Sequence, residues 1–118
     1  MPRLAETRSR IRKIKTMAEL QVIARAVARE GREDQLRALL RGMLAPTHQE
    51  PGCLLYELYE SHKQGRFYFH EFWESQAALD DHVATPHFQH LQQKIGELLA
   101  EPFEVNIVEE VPVSAAAL

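Results

Sequence analysis

Between positions 20 and 28 the chain reads LQVIARAVA, where Leu20, Val22, Ala24 and Ala26 alternate with Gln21 and Arg25. A period of two with small and β-branched residues predicts a strand. Glu30-Gly31 breaks it, and Leu36, Leu39, Leu40, Met43 and Leu44 then fall at i, i+3, i+4, i+7 and i+8. That stripe predicts a helix over 32–48, its last turn loosened by Pro46 and its end set by Pro51-Gly52. Two aromatic-rich alternating runs follow, CLLYELYE (53–60) and RFYFHEFWE (66–74), joined by SHKQG. They predict a hairpin with a glycine-containing loop.

In the second run Phe67, Phe69, Glu71 and Trp73 share one face, while Tyr68, His70 and Phe72 share the other. Both faces are substantially apolar, so each is expected to be covered, one by helices and the other by a second subunit. Ser75 is placed to cap a helix over 76–84. Thr85-Pro86 starts another, because proline suits the first helical position. That helix directs Phe88, Leu91, Ile95, Leu98 and Leu99 inward and ends at Glu101-Pro102. A last strand, FEVNIVEEV (103–111), alternates Phe103, Val105 and Ile107 against Glu104 and Asn106. The order strand, helix, strand, strand, helix pair, strand predicts an α+β, ferredoxin-like domain: a four-stranded antiparallel sheet with helices on one face.

Length changes the picture little, since 118 residues with 45% hydrophobic content make one domain with one core. Charge changes it more. Residues 1–16 carry Arg3, Arg8, Arg10, Arg12, Lys13 and Lys15 against Glu6 alone, so the remainder holds about −8 of a total of −3. An acidic body argues against nucleic acid as a partner. The basic segment 1–16 reads as a disordered or non-native extension ahead of a start at Met17, with a short amphipathic helix or a membrane- or RNA-contacting arm as the alternatives. The domain proper is expected over 17–112, with 113–118 as a tail. The single cysteine, Cys53, excludes an internal disulfide and a cysteine-based zinc site. Without a signal peptide or long apolar run, a soluble cytoplasmic protein that spans no membrane is expected.

Candidate chemistry concentrates in DDHVATPHFQH (80–90), which holds three of the six histidines. At 100° per residue, His82 points inward beside Leu79, His87 sits at the edge of the apolar stripe of the next helix, and His90 lies outside it. His90 diverges from the other two imidazoles, and the proline break keeps His82 and His87 from forming an i, i+4 pair on one helix, which argues against a metal site. Each histidine also has a plainer reading, a core-edge imidazole bonded to a carbonyl for His82 and a capping or solvent role for His87. Glu71 and Trp73 on the helix-covered strand face, with an inward histidine, suggest a polar-lined aromatic pocket.

The run EFWESQAALDDHVATPHF (71–88) resembles the signature segment of the antibiotic-biosynthesis-monooxygenase superfamily, and the upstream EPGCLLYEL (50–58) is similar to that family's helix-to-strand junction. The resemblance spans about residues 18–111. It implies a dimeric α/β barrel, in which ferredoxin-like protomers pair through their sheets as a homodimer and each keeps a pocket between sheet and helices. Phe69, Glu71 and Phe88 would then contact substrate, and Trp73, His82 and His87 would be the catalytic candidates. Tyr68, His70 and Phe72 would face the partner.

The resemblance implies a quinol-type monooxygenase that oxidises a small aromatic or quinol-like substrate with O2, with no metal and no other cofactor. An electron-rich phenolate can itself reduce O2, so the protein must deprotonate it, hold it flat and exclude water. A histidine suits the first task near neutral pH. Rival readings within the same fold are an isomerase or tautomerase using the same base, a haem-binding or haem-degrading relative, and a non-catalytic small-molecule-binding dimer.

Overall fold

The computed structural model describes residues 4–113; the ends, 1–3 and 114–118, and with them most of the expected C-terminal tail, lie outside the described residues. In chain order the elements are α1 (Leu4–Met17), β1 (Leu20–Val27), α2 (Glu33–Arg41), α3 (Leu44–His48), β2 (Cys53–Glu60), β3 (Arg66–Trp73), α4 (Gln76–Val83), α5 (Pro86–Ile95), a 3-10 turn (Gly96–Leu98) and β4 (Glu104–Val108). The sheet order is β2-β3-β1-β4, with every pairing antiparallel. This is the ferredoxin-like arrangement predicted from the element order.

Local chemistry sets most boundaries. Ser75 Oγ accepts from Ala78 N at 3.1 Å and Thr85 Oγ1 accepts from Phe88 N at 3.2 Å, so α4 and α5 both begin on hydroxyl caps. Pro86 follows the second cap as predicted. The single helix expected over 32–48 is instead two. Pro46 has no N–H to bond the carbonyl of Gly42, and Met43 N bonds Leu40 O at 3.1 Å, tightening the chain where α2 ends. The last helix likewise stops at Ile95 and tightens into the 3-10 turn.

The core lies between the sheet and the α2–α5 layer, where Val22, Ala24, Phe67, Phe69 and Trp73 from the strands meet Leu36, Leu40, Leu91 and Ile95 from the helices. Arg37 fastens α2 to the end of β2: Nε and Nη2 reach the two Glu60 oxygens at 2.8 and 2.7 Å, and the guanidinium lies 5.7 Å from the Phe67 ring. β4 is an edge strand of the sheet. Val105 and Ile107 do pair with Ala24 and Val22 on the helix side of the sheet, yet they are 52% and 55% exposed. The helix layer stops short of this edge strand.

On the other sheet face Phe72 and Leu55 are buried, while Ile23 and Tyr59 remain 40% and 49% exposed. The described part of the basic segment lies in α1, helical from Leu4 to Met17. Its half-buried positions Ile11, Ile14 and Ala18 recur at helical spacing, Ile14 lies beside Leu55, and Lys15 Nζ bonds Glu110 Oε1 at 2.6 Å.

Gly52 controls how close α4 comes to the start of β2. A Cβ on Gly52 would lie 2.3 Å from the Ala78 Cβ, a separation that packed carbons do not tolerate. Gly52→Ala is therefore expected to destabilise the fold by about 1–3 kcal/mol in chemical denaturation, through overpacking. Adding Ala78→Gly should recover part of that loss, and a double-mutant cycle without coupling would contradict the contact.

Candidate active site

The alternation of β3 turns Phe69, Glu71 and Trp73 toward the helices, and all three are buried. From α4, Leu79 and His82 at i and i+3 face the same layer. The turn after α4 is fixed by Thr85, whose Oγ1 donates to His82 O at 2.7 Å while its N–H reaches the same carbonyl at 3.1 Å. This sharp turn swings α5 so that His87 comes alongside His82, with ring centroids 6.0 Å apart.

Between the two imidazoles sits Glu50, in the turn that leads from α3 into β2. Its Oε2 is 2.8 Å from His82 Nδ1 and 2.7 Å from His87 Nε2. One carboxylate oxygen thus serves two histidines from two helices. The pair at His82 is almost sealed, with side-chain exposures of 2% for His82 and 12% for Glu50. His87 is more open at 21%.

The rest of the His82 ring is enclosed by aromatic side chains. Trp73 lies 4.6 Å away centroid to centroid, Phe88 5.1 Å and Tyr56 5.5 Å. Because Nδ1 is engaged by Glu50, Nε2 is the nitrogen left for the hollow that His82 lines with Tyr56, Phe69, Glu71, Leu79 and Phe88. That hollow measures about 30 Å³, room for roughly one water. A much larger space lies elsewhere: a cleft of about 710 Å³ between α2 and α5, lined in part by Arg32, Leu39, Met43, His87, Lys94 and Leu98.

The electrostatics of the hollow pull its acid and its base in opposite directions. Burial raises Glu71 to about 7 despite the 2.8 Å hydrogen bond that Trp73 Nε1 donates to its Oε1, and the neighbouring Glu50 adds to the rise. Burial also lowers His82 below the ordinary imidazole value, against the opposing pull of Glu50. Neutral forms of both are therefore favoured in the folded protein. Burial likewise pushes the Cys53 thiol up to about 12, so it is no nucleophile near pH 7.

The expected site residues separate into two groups. His82, Glu71, Phe69 and Phe88 converge on the hollow. Trp73 packs behind the His82 ring with its N–H taken by Glu71, and His87 reaches the site through Glu50 rather than through the hollow. Elsewhere, His90 is exposed at the α2–α5 cleft, and His70 meets Gln21 Nε2 at 2.7 Å on the opposite sheet face. Sequence reasoning passed over Glu50 and Tyr56. The Glu-Pro-Gly turn beside an inward-facing histidine was the available signal for the first, and the alternation of β2 for the second.

Glu50, His82 and His87 are also the cluster with metal-ligand chemistry among the described residues, their donor atoms lying within 4.8 Å of one another. Both nitrogens stand at hydrogen-bond length from one shared oxygen, which is the geometry of two imidazole N–H donors on one acceptor.

The elevated Glu71 has a measurable consequence. Its folded pKa lies above the unfolded value, so its contribution is fully present below about pH 4.5 and is lost as pH rises toward 7. Glu71→Gln keeps an acceptor for Trp73 Nε1 and cannot ionise. Relative to wild type, the variant is expected to gain about 3 kcal/mol between pH 4.5 and 7.5 in urea denaturation. A pH-independent difference would show that Glu71 ionises normally.

Comparison with known proteins bears directly on this arrangement. Residues 20–94, from β1 into α5, match the family model for antibiotic biosynthesis monooxygenase. Rv0793 of Mycobacterium tuberculosis, named for a monooxygenase activity, is 41% identical over 87 residues, spanning 74% of this chain and 86% of that protein. Its structure superposes with a TM-score of 0.74 at 38% identity, covering 81% of this chain and 98% of Rv0793. PA3566 of Pseudomonas aeruginosa superposes equally well, with a TM-score of 0.74 at 30% identity over 80% of this chain and 96% of its own. The family-model match takes in β1, β2, β3, α4 and the part of α5 that carries His87, and with them Glu50 and His82, and the chain belongs to the antibiotic biosynthesis monooxygenase family.

Proposed function

We propose that the protein is a cofactor-independent monooxygenase that oxidises a small phenolic or quinol-type substrate with O2, and that His82 is the base. One observation carries this reading. His82 Nδ1 is held at 2.8 Å by Glu50, which leaves Nε2 to accept a proton at a hollow walled by Phe69, Glu71 and Phe88. The lowered pKa of His82 keeps that nitrogen unprotonated near pH 7.

With no external reductant, the substrate must supply all the electrons. A phenol whose keto tautomer carries a CH2 group satisfies this balance. Deprotonation by His82 gives an electron-rich phenolate that reduces O2, and a carbon–oxygen bond forms. The oxygen–oxygen bond then breaks, so that CH2 becomes C=O and the second oxygen leaves as water with the two hydrogens. The neutral Glu71 carboxyl is suited to donate a hydrogen bond to a developing oxyanion. A ring is larger than the present hollow, so side chains of its less buried wall, Val83, Phe88, Phe103 and Val105, must move to admit one.

The reading includes a homodimer formed through the outer sheet face, supported by the exposed Ile23 and Tyr59 on that surface. It also places the protein in the cytoplasm, where a lone half-buried Cys53 stays reduced. Among the described residues no helix is long and apolar enough to cross a membrane.

A second reading, a non-catalytic small-molecule-binding dimer, draws on a specific feature: the indole of Trp73 packs against His82 at 4.6 Å, beside a hollow of about 30 Å³. Oxygen uptake with a panel of quinols and anthrones separates the two. The monooxygenase reading expects uptake that falls at least about 100-fold in His82→Ala, the scale of a lost general base. It also expects kcat/KM to rise with pH through a value below 6.5, as the imidazole loses its proton, and to fall again above about 7, as Glu71 ionises and ceases to donate. Turnover left unchanged by both His82→Ala and His87→Ala would remove the acid–base role.

A further inference from the structure

The α2–α5 cleft, more than twenty times the volume of the hollow, is left without a role by the chemistry above. Its two ends differ in character. Arg29 N bonds Leu98 O at 2.8 Å and Arg29 Nε bonds Leu99 O at 2.8 Å, which sets the start of α2 beside the end of α5. The two helices therefore run antiparallel along the cleft. Arg32 and Lys94 share one end, and Met43 and His87 share the other. Between them the floor is apolar, formed by Ala38, Leu39 and Leu91, with Leu98 behind Lys94. Seven residues separate His87 from Lys94, which at 1.5 Å per residue is about 10 Å along the axis.

A volume within the range of small-molecule sites, an apolar floor and convergent charge at one end are the features of a ligand pocket rather than of a surface irregularity. The floor asks for a flat apolar body. The cationic end asks for an anion, since Arg32 and Lys94 are exposed and Glu97 is the one carboxylate that lines the cleft. The far end is not inert, because His87 Nε2 lies 2.7 Å from the Glu50 oxygen that also holds His82.

We propose that this cleft binds an elongated aromatic carboxylate about 10 Å long, its carboxylate between Arg32 and Lys94 and its opposite end at His87. The proposal goes beyond the functional reading: it names a ligand class for a cleft that the chemistry of the hollow does not use. The binding itself requires no turnover.

Titration of the intact protein with 6-hydroxy-2-naphthoate, followed by the ligand's fluorescence, tests this without any oxygen chemistry, with 2-naphthol as the neutral control. Saturable binding of the acid is expected, weakened by added salt and tighter than binding of the naphthol. Arg32→Gln with Lys94→Gln should weaken the acid about tenfold, the scale of two lost exposed charge pairs, and leave the naphthol unchanged. Glu97→Gln should tighten the acid by a few-fold, which a merely destabilised cleft would not do. All three positions are exposed, so the variants should keep the wild-type melting temperature. Absence of saturable binding, equal affinity for acid and naphthol, or indifference of the acid to the double variant would overturn the proposal. An unchanged binding result alongside absent oxygen uptake would leave the cleft assignment standing and count against the monooxygenase reading alone.

Discussion

A single carboxylate oxygen organises the site. Glu50 Oε2 sits at hydrogen-bond distance from His82 Nδ1 and His87 Nε2, and in doing so it ties together three segments that are distant in sequence: the turn entering β2, α4 and α5. A nearly buried carboxylate without partners would cost several kcal/mol, so the two imidazole donors are what allow Glu50 to occupy this position. The dependence is mutual. Gly52 lets α4 approach, Thr85 bends the chain between the helices, and only with both does the second imidazole arrive.

Fixing His82 by one nitrogen gives the other a direction. The hollow it faces holds Glu71, and burial raises the acid while it lowers the imidazole. Two groups that would carry opposite charges in water are thus driven toward neutrality a short distance apart, in a space too small for bulk solvent. Such a pair meets a bound ring with the imidazole free to accept a proton and the carboxyl able to donate a hydrogen bond. Sites where environment pushes an acid up and a base down are where acid–base roles are assigned in enzymes. Trp73 contributes from behind, holding Glu71 by its N–H and closing one face of His82.

Much of the fold was legible because its determinants are local. The alternation in 66–74 separated Phe69, Glu71 and Trp73 from His70 and Phe72, and the hydroxyl caps at Ser75 and Thr85 fixed where α4 and α5 begin. The inward direction of His82 followed from helical geometry alone. Glu50 was not legible in this way, since its contacts cross 32 and 37 residues and no local period points to them. The break between α2 and α3 was underestimated because a missing N–H at Pro46 acts one turn earlier, at Gly42. The exposure of Val105 and Ile107 was hidden for another reason: alternation tells which face a residue takes, and not whether a helix lies above it.

The two cavities are separated by very little. Leu91 lines both the open cleft and the small hollow, and His87 lines the cleft while touching the carboxylate that holds His82. Anything seated in the cleft is therefore one aliphatic side chain from the hollow and one shared oxygen from the candidate base. Leu91 is buried, and opening a path there would strip it of packing contacts with the core. Leu91 is thus the side chain common to both walls, and its packing is what keeps the open cleft and the closed hollow apart.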